Sequence, residues 1–170
     1  MARRHIDIHV GHKPLGFSEQ GVDTEGGHVN ADLILFMPGL TGPTWLGNSE
    51  LPKSLGGFIK ADEYCRVAGG PERVFVAGDA GSFPGPDWLP KQAHMADLQA
   101  KAAVQNLLLA LEDKAPVAKA TPELVCIVDT MESGMLVFRN PEHSWVLPPS
   151  RLFHWAKRFF ERYYLRAYRA

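Results

Sequence analysis

The stretch Arg73-Val-Phe-Val-Ala-Gly-Asp79, followed by Leu89-Pro-Lys-Gln-Ala-His-Met-Ala-Asp-Leu-Gln99, constrains this chain more than any other part of it. Val74 to Ala77 form the short, nearly uninterrupted apolar run of a parallel strand covered on both faces. Gly78 allows a ligand to approach the backbone, and Asp79 can accept hydrogen bonds from sugar hydroxyls. A helix starting near Lys91 then offers unpaired N–H groups and the positive end of its dipole, which suit an electron-rich carbonyl. A Gly-Asp pair also occurs in ordinary turns, so its neighbours decide the reading.

Composition narrows the classes. An apolar content of 45% with 22% charge is that of a globular protein, and a net charge of −1 gives no reason to expect nucleic acid. Met1-Ala-Arg-Arg leads into alternating polar residues, which is not a signal peptide. No run approaches the roughly 18 apolar residues of a spanning helix. Two cysteines do not make a disulfide framework in 170 residues. His9 and His12 lack the companions of a metal site, and no Gly-x-Ser-x-Gly elbow is present, so no metal and no hydrolysis are expected. A Gly-x-Gly-x-x-Gly turn is also missing, so the usual pyrophosphate site is not encoded here.

Several pieces in order carry a family resemblance: Ala31-Asp-Leu-Ile-Leu-Phe-Met-Pro-Gly39, Phe75-Val-Ala-Gly-Asp-Ala80, Pro90-Lys91 through Asn106, Cys126-Ile-Val-Asp129, and the closing His154-Trp-Ala-Lys-Arg-Phe-Phe-Glu-Arg-Tyr-Tyr-Leu165. Together they resemble the carboxyl-terminal half of the two-dinucleotide-domain flavoproteins, above all the sulfide:quinone oxidoreductases. The first three are shared with type II NADH dehydrogenases; Cys126 and the closing segment tilt toward the sulfide enzymes. The resemblance implies an α/β chain: a partial FAD/NAD(P)-binding Rossmann-like fold lacking its amino-terminal half, with a carboxyl-terminal hairpin and amphipathic helix. It implies residues 1–39 as closing strands of a pyridine-nucleotide-type domain, 40–113 as part of the FAD-binding domain, and 114–170 as hairpin and membrane-associated helix.

The resemblance also assigns roles. Pro38, Gly39, Gly78, Asp79, Lys91 and Gln92 would contact FAD, with Lys91 near the pyrimidine edge. Gln92 and Ala93 depart from the hydroxyl residue and glycine common there, and Pro38-Gly39 departs from a frequent double proline. Cys126 would carry sulfur from sulfide beside the flavin, with a second cysteine from the missing half, and quinone would take the electrons. From the residues alone, Cys126 reads first as a small buried hydrophobe, and Cys65 reads as structural. Expected partners are sulfide, quinone, the missing half or a second copy, and a membrane surface, giving a peripheral location on the cytoplasmic face. Alternatives are a type II NADH:quinone oxidoreductase fragment, or a cofactor-free piece that binds a membrane or partner.

Periodicity predicts strands over Ile6–Val10, Gly21–Gly27 and Val29–Met37. It predicts a helix from about Pro90 to Glu112 with Met95, Leu98, Ala102, Val104, Leu107, Leu108 and Leu111 at helical spacing. Lys114–Pro122 has a linker composition. Leu124–Val128 and Met135–Arg139 predict a hairpin, and the last 20 residues a helix. That helix joins Leu152, Phe153, Trp155, Phe159, Phe160, Tyr163, Tyr164, Leu165 and Tyr168 to Arg151, Lys157, Arg158, Arg162, Arg166 and Arg169. This combination suits an anionic membrane interface, or a helix packed on its own domain with its arginines reaching outward.

Overall fold

The computed structural model describes residues 5–130 and 132–166. It is a mixed α/β chain in two compact units, residues 1–40 and 41–170. The first unit is an antiparallel meander of β1 (Pro14–Ser18), β2 (Gly21–Thr24) and β3 (Gly27–Asn30). Gly21 and Gly27 sit at positive φ where strands begin after tight turns, a conformation that costs other residues more. Two expectations fail here. Ile6–Val10 is not a strand, and the predicted strand Val29–Met37 ends at Asn30. Leu33, Leu35 and Met37 are exposed, because among the described residues of this unit no second layer covers them, and an apolar run without a cover has nothing to pair or pack against.

The second unit carries the remaining elements. A small core of Leu46, Ile59, Ala61, Val67 and Val76 closes around the parallel pair β4 (Ile59–Lys60) and β5 (Gly81–Ser82). Val74–Ala77 is extended and half-buried to buried, but it is not the predicted parallel strand. Its bonds run to the antiparallel stretch 65–67, with Val76 N–H donating to the Cys65 carbonyl and Val67 N–H to that of Val74. Helix α1 (Ala93–Leu111) follows. Its buried face is Met95, Gln99, Ala102, Ala103 and Asn106, while Val104, Leu108 and Leu111 of the predicted apolar stripe face outward.

Asn106 is fully buried and uses both ends of its amide. Its Nδ2 donates to the carbonyls of Tyr64 and Ala118, and its Oδ1 accepts from Val117 and Ala118 N–H. The stretch of linker composition is thereby strapped to α1 before entering β6 (Leu124–Asp129). β6, β7 (Gly134–Arg139) and β8 (Ser144–Ser150) form an antiparallel sheet in that order. The hairpin is as predicted; β8 is an addition, hidden in the sequence by Pro148 and Pro149, which only an edge strand tolerates.

Ser150 Oγ accepts the Leu152 N–H and starts α2 (Arg151–Arg166), as a helix-capping serine does. Tyr168 and Arg169 lie outside the described residues. α2 covers one face of β6 and β7.

Candidate functional site

The Gly-Asp turn is built from both sides. Gly78 has φ +68, left-handed and favourable to glycine, and a Cβ there would also lie 3.4 Å from the Ala96 Cβ. Its N–H donates to Gln99 Oε1 at 2.9 Å, and Gln99 is only 4% exposed. The second turn of α1 therefore holds the Gly78 turn in place while Asp79 remains exposed. Sequence reasoning missed Gln99; the available signal was a polar residue four positions after Met95, on the helix face that Met95 and Ala102 share.

Lys91 departs from its expected place in the first helical turn. α1 starts at Ala93, with Gln92 extended as the residue before it, so Lys91 precedes the helix. Its ammonium donates to the carbonyls of Asp79 at 3.1 Å and Gly81 at 2.6 Å and lies 4.0 Å from the Phe58 ring centre. Burial lowers its pKa, opposed by the Asp79 charge. The helix dipole still disfavours an ammonium at this end, and the carbonyls of Asp79 and Gly81 with the Phe58 face offset that cost.

The start of α1 is left open. Gln92 makes no side-chain cap, and no acidic residue stands in the first turn. The first N–H groups therefore retain their donor capacity. The Gln92 carboxamide oxygen is buried and has no hydrogen-bond partner. Gly78, Asp79, Gly81, Lys91, Gln92 and Gln99 share the wall of one cavity of about 140 Å³. Four of the seven residues singled out in the sequence thus come together.

The others do not line this cavity. Pro38 and Gly39 are exposed coil in the first unit. Cys126 is half-buried at mid-β6, paired with Val137. Strand alternation puts Cys126 on the face opposite Ile127 and Asp129, and α2 packs on the latter side, where His154 Nδ1 lies 3.0 Å from Asp129 Oδ1. The start of β6 lies against the cavity's helix, and just before it Glu123 meets His94 at 2.7 Å. Cys65, by contrast, is 1% exposed against Ala102 and Ala103. Burial, with a smaller push from Asp62, raises its thiol pKa to about 11; it is held as a thiol and packs as one.

α2 turns the chemistry of an ordinary surface helix around. Phe153, His154, Lys157 and Tyr164 are its half-buried positions, and Tyr164 Oη donates to Asp97 of α1 at 3.0 Å. Leu152, Trp155, Phe159 and Tyr163, which recur at helical spacing on one face, are 60–75% exposed. Arg151, Arg158 and Arg162 are exposed beside them. Among the described residues no helix is long and apolar enough to cross a membrane, and no group of three or more metal-ligating side chains is present.

This fold is shared with a solved structure, the sulfide:quinone oxidoreductase of the hyperthermophilic bacterium Aquifex aeolicus. The TM-score is 0.78 over 96% of this chain and 42% of that one, at 21% identity. The likeness is one of fold, and the chain spans less than half the length of that protein. No protein-family model matches the sequence.

Proposed function

We propose that this chain is the carboxyl-terminal part of a flavin-dependent oxidoreductase of the sulfide:quinone type. It contributes the pyrimidine end of the flavin site, a redox cysteine and a membrane-docking helix. The observation that carries this reading is the cavity joining Gly78, Asp79, Lys91 and Gln92 at the uncapped start of α1. The shared fold supports it.

The residues present fit FAD. Gly78 permits close approach, and the α1 N–H groups and Lys91 favour electron-rich carbonyl oxygens. When bound, FAD supplies the two-electron acceptor chemistry that connects a thiol donor to a quinone. Lys91 then opposes the negative charge that reduction places at the ring, and Asp79 accepts from sugar hydroxyls. Gln99 keeps the Gly78 backbone in position. Sulfide attacks a disulfide or sulfur bridge between Cys126 and a cysteine from the rest of the enzyme, breaking its S–S bond to leave a persulfide on the other cysteine, and the Cys126 sulfur so released would pass the electron pair to the flavin. α2 brings the protein to an anionic bilayer from which quinone is drawn, giving a peripheral membrane location.

A second reading follows from Cys126 lying outside the cavity wall: a type II NADH:quinone oxidoreductase part in which this cysteine only packs. Joining the chain to a dinucleotide-binding half and mixing it anaerobically with either donor separates the two. Sulfide should bleach the flavin at 450 nm (roughly, the oxidised-flavin band used to follow electron transfer), and Cys126→Ser should abolish that bleaching with flavin still bound. Bleaching by NADH alone, unaffected by the substitution, selects the second reading. The chain by itself should hold FAD weakly, since the pyrophosphate turn is not in it.

A further inference from the structure

We propose that Arg139 is a specificity-determining residue that draws the sulfur donor to Cys126 as an anion, so that the site takes hydrosulfide or a polysulfide chain in its charged form. The proposal rests on the sulfide reading above and deepens it by naming the charge of the substrate and the residue that selects it.

The observation is a distribution of charge. β6, β7 and β8 together carry one acid, Asp129, and one base, Arg139. Strand alternation separates them. Leu124 is paired with Arg139 and Arg139 with Ser144, and the next row on the same face is Cys126, Val137 and Val146. Asp129 lies on the other face, against His154 of α2. The two rows that present Cys126 therefore hold a single cation and no acid. Leu124 stands directly across from Arg139, so Cys126 is the diagonal neighbour of that arginine, about 7–8 Å away and within reach of a long side chain.

The guanidinium is also held in a way that leaves its donors unspent. Before α2, the other described arginines each meet a carboxylate: Arg66 lies 3.1 Å from Asp62, and Arg73 lies 2.7 Å from Asp113. Arg139 meets a ring instead, 4.6 Å from the centre of Trp88. No carboxylate among the described residues pairs with it, not even Asp87 beside Trp88 in the chain. Stacking uses the flat face of a guanidinium and leaves its five N–H donors pointing outward in the plane. Such a fork matches an anion. Trp88 precedes Leu89, which lines the Gly78–Lys91 cavity, so the stack ties this corner of the sheet to the cavity wall.

The chemistry proposed for Cys126 carries negative charge past this point. Hydrosulfide arrives as an anion, its sulfur bonds to the other cysteine and keeps its proton there, and the broken S–S bond leaves its electron pair on Cys126. Arg139 faces that charge as it arrives and again as it passes to the cysteine.

The test uses the full chain and two aromatic disulfides as probes, the dianion dithiobis(nitrobenzoate) and the neutral dithiodipyridine. With either one, the Cys126 thiolate forms a new S–S bond to one half, and the other half leaves as a thiolate whose absorbance is followed. Reaction that persists in Cys126→Ser belongs to Cys65 and is subtracted. The readout is the ratio of the two rates, because a change in how much thiolate Cys126 presents alters both alike. Arg139→Gln should lower the anion-to-neutral ratio by about fivefold at low salt, and Arg139→Lys, which keeps the charge, should retain most of it. The wild-type excess should vanish near 1 M salt, where a charge is felt over only about 3 Å. An unchanged ratio in Arg139→Gln overturns the inference, and so does a rise or fall of both rates together, which would assign Arg139 to the packing of the sheet. Bleaching of the joined protein by sulfide separates this from the wider reading. Bleaching with an unchanged ratio leaves the sulfide reading standing and removes Arg139 from it; a lowered ratio without bleaching means that the sulfide reading fails, and this inference with it.

Discussion

Helices α1 and α2 both bury polar side chains and expose apolar ones, yet they do so for different surroundings. α1 turns Gln99 and Asn106 inward and leaves Val104, Leu108 and Leu111 57–60% exposed, with Lys101 its only lysine or arginine. α2 half-buries His154, Lys157 and Tyr164, His154 against Asp129 of β6 and Tyr164 against Asp97 of α1, and exposes aromatic rings among arginines. An aliphatic stripe with so little charge offers nothing to lipid headgroups and matches a protein surface. Aromatic rings flanked by guanidinium groups match the boundary between headgroups and acyl chains. The contrast teaches that exposure of apolar residues identifies a contact face, while the charges beside that face identify what it contacts.

The strongest way to break this contrast is through the buried side of α1. Asn106→Leu strips two N–H groups and two carbonyl contacts of their partners at a fully buried position. Each unmatched group costs about 1–3 kcal/mol, so a loss of about 4 kcal/mol in urea unfolding is expected. A loss below about 1 kcal/mol would show that the 114–122 segment is not held by this amide.

The outer side of α2 gives the next largest effect. Replacing Arg158, Arg162 and Arg166 with Gln should weaken co-sedimentation with anionic vesicles by more than about 100-fold, at about 1 kcal/mol per cation. Added salt should weaken wild-type binding without abolishing it, because burial of Trp155, Phe159 and Tyr163 is not screened. Changing Val104, Leu108 and Leu111 to Ser should leave vesicle binding unchanged. Equal losses from the two helices would erase the distinction between their faces.

Cys65 sharpens the comparison by testing how dry the α1 contact is. Its thiol pKa rises from 9.0 to about 11 in the folded chain. Between these values the folded protein keeps a proton that the unfolded chain has released, so stability is fully present below pH 9 and lost as pH climbs toward 11. The loss should reach at most about 2.7 kcal/mol. Urea titrations of the wild type and Cys65→Ala at pH 8 and pH 10.5 should show the steeper decline in the wild type; parallel declines would place water at that contact.

The sequence by itself determined the local units of this protein. Helical spacing located α1, the aromatic and basic closing run located α2, short apolar runs on either side of Asp129–Gly134 located β6 and β7, and the Gly78-Asp79 pair with Lys91-Gln92 marked residues that line one cavity. These signals are legible because helix repeat, strand alternation and glycine at positive φ are fixed by the chain's own geometry within a few residues. Only tertiary structure decided the rest. The side of α1 that is buried depends on Tyr64 and on Val117 and Ala118, which satisfy Asn106 from far along the chain. The place of Lys91 before the helix depends on carbonyls at Asp79 and Gly81. Ile6–Val10 and Leu33–Met37 carry apolar sequence but no strand beyond Asn30, and Val74–Ala77 pairs antiparallel instead of parallel, because an extended run becomes a particular strand only when another segment supplies the opposite row of hydrogen bonds.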